Sequence, residues 1–340
     1  MNALTRRRFL QTTGTVAVGA STPLIGMRTA SAAEFTFKYA NNVPANHPLT
    51  VGMTKACDLI RERTSGRVDI KVFPNNQLGS DTDLLGQLRL GGIDFYTMSG
   101  LLLSTLVPVA AINGVAFAFK DYNEVWAAMD GPLGALVRSK IEGAGLVVFD
   151  KIFDSGYRQI TASDKPIRVP GDLKGMKIRV PPSPLWVSMF QGLGASPTSI
   201  NFSEVYSSLQ THVVDGQETP LVSIEAAKLY EVQKYCAMTN HMWDGYWLLA
   251  NRKTFAKLPD DLRKIVNDSV AEASLLQRKE NLRLNTELRA QLTAKGLVFN
   301  EVDPQQFRST LKQSGFYATW KDKFGPEAWG LLEKTVGTLT

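Results

Sequence analysis

Histidine and cysteine are scarce in this 340-residue chain, with three of the first and two of the second. His47, His212 and His241 stand far apart with no ligand-type companion at metal spacing, so no zinc motif can be read. Cys57 lies in an apolar helical run and Cys236 in a strand-like one, so both read as small buried hydrophobes. Whether they pair stays open, because spacing along the chain does not give proximity. Catalytic motifs are missing as well: there is no Gly-x-Ser-x-Gly elbow and no His-Glu-x-x-His. Gly14 and Gly19 bracket four residues, but no lysine follows to make a phosphate loop. No catalytic residue, cofactor or metal is therefore expected.

A strong charge imbalance is lacking too. The formal net charge is +6, but Arg6, Arg7, Arg8 and Arg28 supply +4 of it, and no acidic residue precedes Glu34. The remainder is close to neutral and has no basic stripe with interleaved aromatics, which argues against a nucleic-acid partner. The basic start resembles a twin-arginine export signal, Thr5-Arg6-Arg7-Arg8-Phe9-Leu10-Gln11, followed by a weakly apolar stretch over 15–27. That stretch is too short, and too interrupted by Gly, Ser and Pro, to span a membrane. Ala30-Ser31-Ala32 offers small residues for cleavage. Residues 1–32 are expected to be a signal peptide, with the mature protein beginning near Ala33 in the periplasm.

What is present is the composition of a soluble globular protein: 44% hydrophobic residues, over a length sufficient for two lobes. Residues 35–39 alternate as an opening strand and lead to Asn41, Asn42 and a proline-bounded turn around Asn46 and His47. A helix is expected over 49–65, stopped by Gly66, then a strand over 68–73. Asp81 and Asp83 open the next helix, where carboxylates suit the positive end of the dipole; the calcium-loop spacing they suggest is not completed. A third strand is expected over 93–98, leading into Ser99. Strands alternating with helices at this pace predict an α/β fold with a parallel, doubly wound sheet. Residues 123–138 and 221–229 read as helices, 146–150 as a buried strand, and 232–239 and 246–250 as strands crossing between lobes. From Pro259 to about Ala294 apolar residues recur at helical spacing, which predicts a spanning or kinked helix. A strand near 297–299 and two amphipathic helices complete the chain.

The candidate chemistry lies in the stretch 156–220. Arg158 follows Gly156-Tyr157, read as a turn. Arg179 closes the alternating run Lys177-Ile178-Arg179-Val180, a short strand that Pro181 and Pro182 end because proline has no N–H for the ladder. An arginine held on a strand end presents a planar fork that grips a carboxylate with two parallel hydrogen bonds. The plainer reading is a surface arginine paired with Asp172 or simply solvated. The runs DLKGMKIRVP, GASPTSINFSEVYSSLQTHVVDGQETP and YEVQKYCAMTNH resemble the solute-binding proteins of TRAP transporters, of the DctP type. GRVDIKVFPNNQLG and LPDDLRKIV extend the resemblance over nearly all of the mature chain.

That resemblance implies a two-lobed, periplasmic-binding-protein-like α/β fold with a ligand cleft between the lobes and a long helix spanning both. Lobe I is expected from 33–155 plus about 245–285, and lobe II from 156–244 plus about 286–340. It implies a receptor rather than an enzyme, working as a monomer, that hands a small organic acid to integral membrane permease subunits driven by an ion gradient. By the same resemblance Arg179 grips the ligand carboxylate and Arg158 assists. Asn42, Asp81 and Thr219 are expected at a hydroxyl or keto oxygen, with Ser99 and Pro182 along the cleft. Phe202, Leu101, Leu102, Trp186 and Trp243 offer an apolar wall, although the two tryptophans are equally suited to the core. His241 stands behind the ligand or is a hydrogen-bonded core histidine. In the family's sialic-acid-binding members a Glu and an Arg match Ser99 and Leu102, and Asn matches Pro182 and Thr219. Those departures disfavour sialic acid and leave a 2-hydroxy or 2-keto monocarboxylate with an apolar or aromatic tail as the best fit. A C4-dicarboxylate or sugar acid is the alternative within the family. An envelope enzyme acting on an organic acid, or a sensor module, is the alternative outside it.

Overall fold

The computed structural model describes residues 32–339, so the export signal expected at the N-terminus lies outside the described residues. The first half is built from βα units. Phe35–Ala40 (β1), Pro48–Arg63 (α1), Val68–Phe73 (β2), Asp81–Leu90 (α2) and Phe95–Ser99 (β3) follow one another, and β1 pairs in parallel with both β2 and β3. His47 caps α1: its Nδ1 accepts the Leu49 N–H at 3.1 Å, and Pro48 takes a first-turn position where no N–H is needed. α2 opens on a capping box in which Ser80 and Asp83 satisfy each other's backbone donors. Asp83 therefore serves the cap, and Asp81 turns inward with 1% exposure.

Gly100–Leu103 (α3), Tyr122–Met129 (α4), Pro132–Gly143 (α5) and Leu146–Val148 (β4) come next. The helix expected over 123–138 is two helices, because Pro132 cannot continue the first and instead starts the second. Phe153–Ala162 (β5) then carries the chain into the second half. Gly156 and Tyr157, read from sequence as a turn, lie inside this strand. Gly156 adopts φ +109°, open to glycine at little cost, so the strand bends without ending.

The second half comprises Lys177–Val180 (β6), Pro184–Gly192 (α6), Ser196–Ser199 (β7), Val205–Gln210 (α7), Gly216–Pro220 (β8), Leu221–Ala226 (α8) and Tyr235–Met238 (β9). Here β6 runs parallel to β7 and β8. Trp243–Asn251 (β10) returns to the first half and pairs antiparallel with β3, β4 and β5. Arg252–Phe255 (α9) leads into Asp260–Ala294 (α10), a 35-residue helix; Val298–Glu301 (β11) then joins β9 in parallel. Pro304–Gln313 (α11) and Phe316–Val336 (α12), the latter kinked at Gly325, close the chain.

The strands of the described residues form one mixed sheet, ordered β2-β1-β3-β10-β5-β8-β6-β7, with β4 beside β10 and β9 beside β5. A purely parallel sheet is not found. β5 and β10 run antiparallel to their neighbours because each joins the two lobes as a single strand rather than closing a βαβ crossover. One apolar core lies between β1–β3 and α1, another beneath β8 and β9, and the largest runs through α3–α6 to α12.

α10 ties these parts together. Leu262, Val266, Val270 and Ala273 pack with α1 in the first core, and Leu288 and Leu292 belong to the second. Between them the buried face turns polar. Gln277 brackets Asp154, accepting from its N–H at 2.9 Å and donating to its carbonyl at 2.8 Å. Arg278 donates to the Ile152 carbonyl at 2.9 Å and holds Asp130 through bonds of 2.7 and 3.0 Å. Asn281 donates to the Asp154 carboxylate at 2.8 Å. The helix is thus pinned to β5 where the lobes join.

Candidate ligand-binding site

Residues at the carboxyl ends of β1, β3, β6 and β8 enclose a cavity of about 30 Å³. This is where open α/β sheets gather ligands, because the loops there diverge and leave a crevice. Of the residues singled out in the sequence, Arg179, Arg158, Thr219, Asn42, Asp81, Ser99 and Phe202 are brought together here. Pro182 and Trp243 are not in the lining, and Pro181 takes the position expected of its neighbour. Trp243 lies behind the site: its Nε1 donates to Asp154 at 2.8 Å and its ring meets Trp126 edge-on at 5.4 Å. Phe202 also borders a second cavity of about 260 Å³, beside Pro44, Asn75, Tyr206 and Lys228.

The two arginines have different surroundings. Arg179, 1% exposed, makes a single hydrogen bond among the described residues, from Nε to the Ile200 carbonyl at 2.9 Å. Its two terminal nitrogens keep all four donors. Burial pulls its pKa down to about 10, against the opposing pull of Glu218 and Asp81, so it stays charged near neutrality. Asp172 is not its partner; that carboxylate accepts from the Arg168 and Val169 N–H groups instead. The Phe202 ring lies 5.8 Å from the Arg179 guanidinium.

Arg158 is already committed. Its Nε and Nη2 donate to Glu218 at 2.6 and 2.8 Å, Nη2 also reaches the Glu218 carbonyl at 2.9 Å, and Nη1 reaches Asp244 at 3.3 Å. Its guanidinium stacks on Trp186 at 4.7 Å. Burial alone would favour losing the proton, but Glu218 outweighs it and holds Arg158 charged. His241 stands one layer back, its Nδ1 2.8 Å from the Thr239 hydroxyl and its Nε2 3.0 Å from Glu218. Burial pushes Glu218 up, yet Arg158 and His241 overcome this and keep it below the usual carboxylate range.

Ser99 donates to Asp244 at 2.8 Å while accepting the Leu101 N–H at 3.2 Å. Asp244 reaches the cavity because β10 shifts register between Asp244 and Gly245, the kind of irregularity that re-aims a side chain. Burial raises its pKa to about 6, with Arg158 opposing. Asp81 accepts the Phe202 N–H at 3.0 Å through Oδ2, bridging α2 to the loop before α7. Its Oδ1, and Oδ1 of Asn42, are buried with no hydrogen-bond partner. His47 bonds Ser223 at 3.1 Å and so joins α1 to α8, more than the proline-bounded turn expected.

Glu218, Asp244, Ser223 and Tyr246 are the lining or supporting residues that sequence reasoning passed over. No periodic signal marks Glu218: the strand Gly216–Pro220 is buried throughout, and the carboxylate's need of a cation follows only from that burial.

With this geometry in place, the likeness to known proteins is informative. The family model described as bacterial extracellular solute-binding protein, family 7, matches residues 39–317. An uncharacterized protein of Sinorhizobium fredii is 36% identical over 305 residues, 89% of this chain; the chain spans 56% of that relative's length. A TRAP periplasmic solute-binding protein of Roseobacter denitrificans with bound L-galactonate is 33% identical, with a TM-score of 0.83 over 90% of this chain and 99% of its own. Another, from Sulfurospirillum deleyianum with bound succinate, is 30% identical, with a TM-score of 0.83 over 89% of this chain and 98% of its own.

Proposed function

Since this chain belongs to the bacterial extracellular solute-binding proteins of family 7, the TRAP type, which are binding proteins and not enzymes, we propose that it captures a small organic acid through Arg179. The observation that carries this reading is the buried Arg179 guanidinium, which spends one donor on Ile200 and keeps its terminal nitrogens for a ligand at the cavity. A carboxylate set in that fork gains two charge-assisted hydrogen bonds, each contributing roughly 1.5–3 kcal/mol. Arg158 acts differently: held by Glu218 and Asp244, it neutralises buried carboxylates and stabilises the cavity wall.

The rest of the lining favours a 2-hydroxy or 2-keto monocarboxylate with a short tail. Asn42, Asp81, Ser223 and Thr219 supply polar contacts, while the apolar wall narrows to Val43, Leu102, Phe202 and the Trp186 ring. Without Trp243 in that wall, support for an aromatic tail weakens. L-galactonate, held by the Roseobacter relative, is a 2-hydroxy monocarboxylate; succinate, held by the other, is not.

On this reading the protein is a periplasmic, monomeric receptor whose two lobes, 33–155 with about 245–285 and 156–244 with about 286–340, close on the acid. The closed form then docks on integral membrane permease subunits. Closure follows from the ligand's differential contacts with the two states. Calorimetric titration with galactonate, an aromatic 2-hydroxy acid, succinate and a hexuronate tests the ligand class. Binding of a 2-hydroxy monocarboxylate that disappears in Arg179→Ala is expected. Unchanged binding in that variant would remove Arg179 from the site.

A further inference from the structure

The charges around the cavity do not balance. Arg158 is bonded by two carboxylates, Glu218 at 2.6 Å and Asp244 at 3.3 Å. Arg179 supplies a second positive charge, and Asp81 a third carboxylate that lines the same space. With every group ionised, negative charge is already in excess before any acid enters. Among the described residues, the terminal donors of Arg179 are uncommitted, and Asp81 Oδ1 is the one buried carboxylate oxygen without a partner. That pair of loose ends matches one carboxylate and one hydroxyl donor. It offers nothing to a second carboxylate, which would meet Asp81 or the Glu218–Asp244 pair at short range in a water-poor space.

We propose that Asp81 selects for acids carrying a single carboxylate, and that a dicarboxylate enters only together with a proton taken up on Asp81. This rests on Arg179 being the carboxylate clamp. The groups facing Asp81 are Arg179 from β6, the Asn42 amide after β1, the Phe202 N–H before α7, and the Tyr96 hydroxyl of β3, which donates to the Asp81 carbonyl at 3.3 Å. Only Arg179 among them is charged. Burial raises the Asp81 pKa, and the Phe202 N–H, Arg179 and the Asn42 side-chain amide oppose it. A ligand carboxylate seated on Arg179 cancels one of those opposing influences, so the proton affinity of Asp81 rises as the cleft fills. Asp244, bonded to Arg158 and Ser99, is the competing place for that proton.

The test is calorimetric titration of wild type, Asp81→Asn and Asp244→Asn with two matched pairs, 2-hydroxybutanoate against malate and galactonate against galactarate. Each is run at pH 6 and 8 in two buffers of different ionisation heat. Wild type should prefer the monoacid by at least about tenfold at pH 8 and take up roughly one proton per diacid bound. Asp81→Asn should bring the pair within about threefold and abolish the uptake. Retention of both preference and uptake in Asp81→Asn, or their loss only in Asp244→Asn, overturns the proposal while leaving the clamp intact. Wild-type affinities in Arg179→Ala would instead overturn the clamp, and this inference with it.

Discussion

Arg158 and Glu218 sit on a diagonal of the β5–β8 pair, where Arg158 opposes Pro220 and Ile160 opposes Glu218, and they meet through bonds of 2.6 and 2.8 Å. Arg179, equally buried, has no carboxylate in salt-bridge contact among the described residues. One arginine is therefore committed within the fold, while the other keeps its terminal donors, which the proposed function assigns to the ligand, and substitution separates them.

Arg158→Ala leaves Glu218 buried without its cation and is expected to cost about 3–5 kcal/mol of stability. Urea denaturation measures this. A loss under about 1 kcal/mol would mean that the pair contributes little to folding.

Arg179→Ala should change unfolding free energy far less, since no native ion pair is broken, while binding falls by a hundredfold or more, about 3 kcal/mol. Arg179→Lys should recover little, because a point charge cannot reproduce a planar fork. Titration and denaturation of the same preparations give both readouts; equal damage to stability by both arginine variants would contradict the division of roles.

Burial lowers the His47 pKa from 6.5 to about 3. The folded protein thus keeps His47 neutral while the unfolded chain protonates below pH 6.5, so stability is lost as pH falls from about 6.5 towards 3. Asp154 and Asp244, which burial raises from 3.8 to about 6, work the other way: their contribution is present below 3.8 and lost as pH rises through about 6. His47→Asn keeps a cap acceptor and removes only the histidine part. Relative to wild type it should gain about 2 kcal/mol between pH 7 and 5. Urea titrations at the two values check this; a constant difference would show that His47 does not titrate on unfolding.

Replacing Arg6 and Arg7 with lysine should hold the precursor inside the cell, since a twin-arginine signal is read by that pair. Cell fractionation followed by immunoblotting decides it. Undiminished periplasmic protein would assign export to another route.

The βα alternation, the strand bearing Arg179 and the long helix were legible because each rests on periodic burial. Arg158 could be singled out, but not its setting. β5 is buried on both faces, so it shows no alternation, and its partner lies 60 residues away. Gln277, Arg278 and Asn281 are polar residues of a helix, yet they are buried because they bond the backbone and carboxylates around β5. Asp244 was hidden by a register shift that period-2 reasoning cannot foresee.

Gln277 is the central residue of α10, and its two bonds to Asp154 fix the helix at that midpoint. On either side an arm of about 25 Å reaches into one lobe's core. A rod held at its middle is a balanced lever: a tilt of about 10° moves each tip by roughly 4 Å in opposite directions, with little displacement at the fulcrum. Motion of one lobe would thereby be felt at the far surface of the other, without any change within the cavity wall itself.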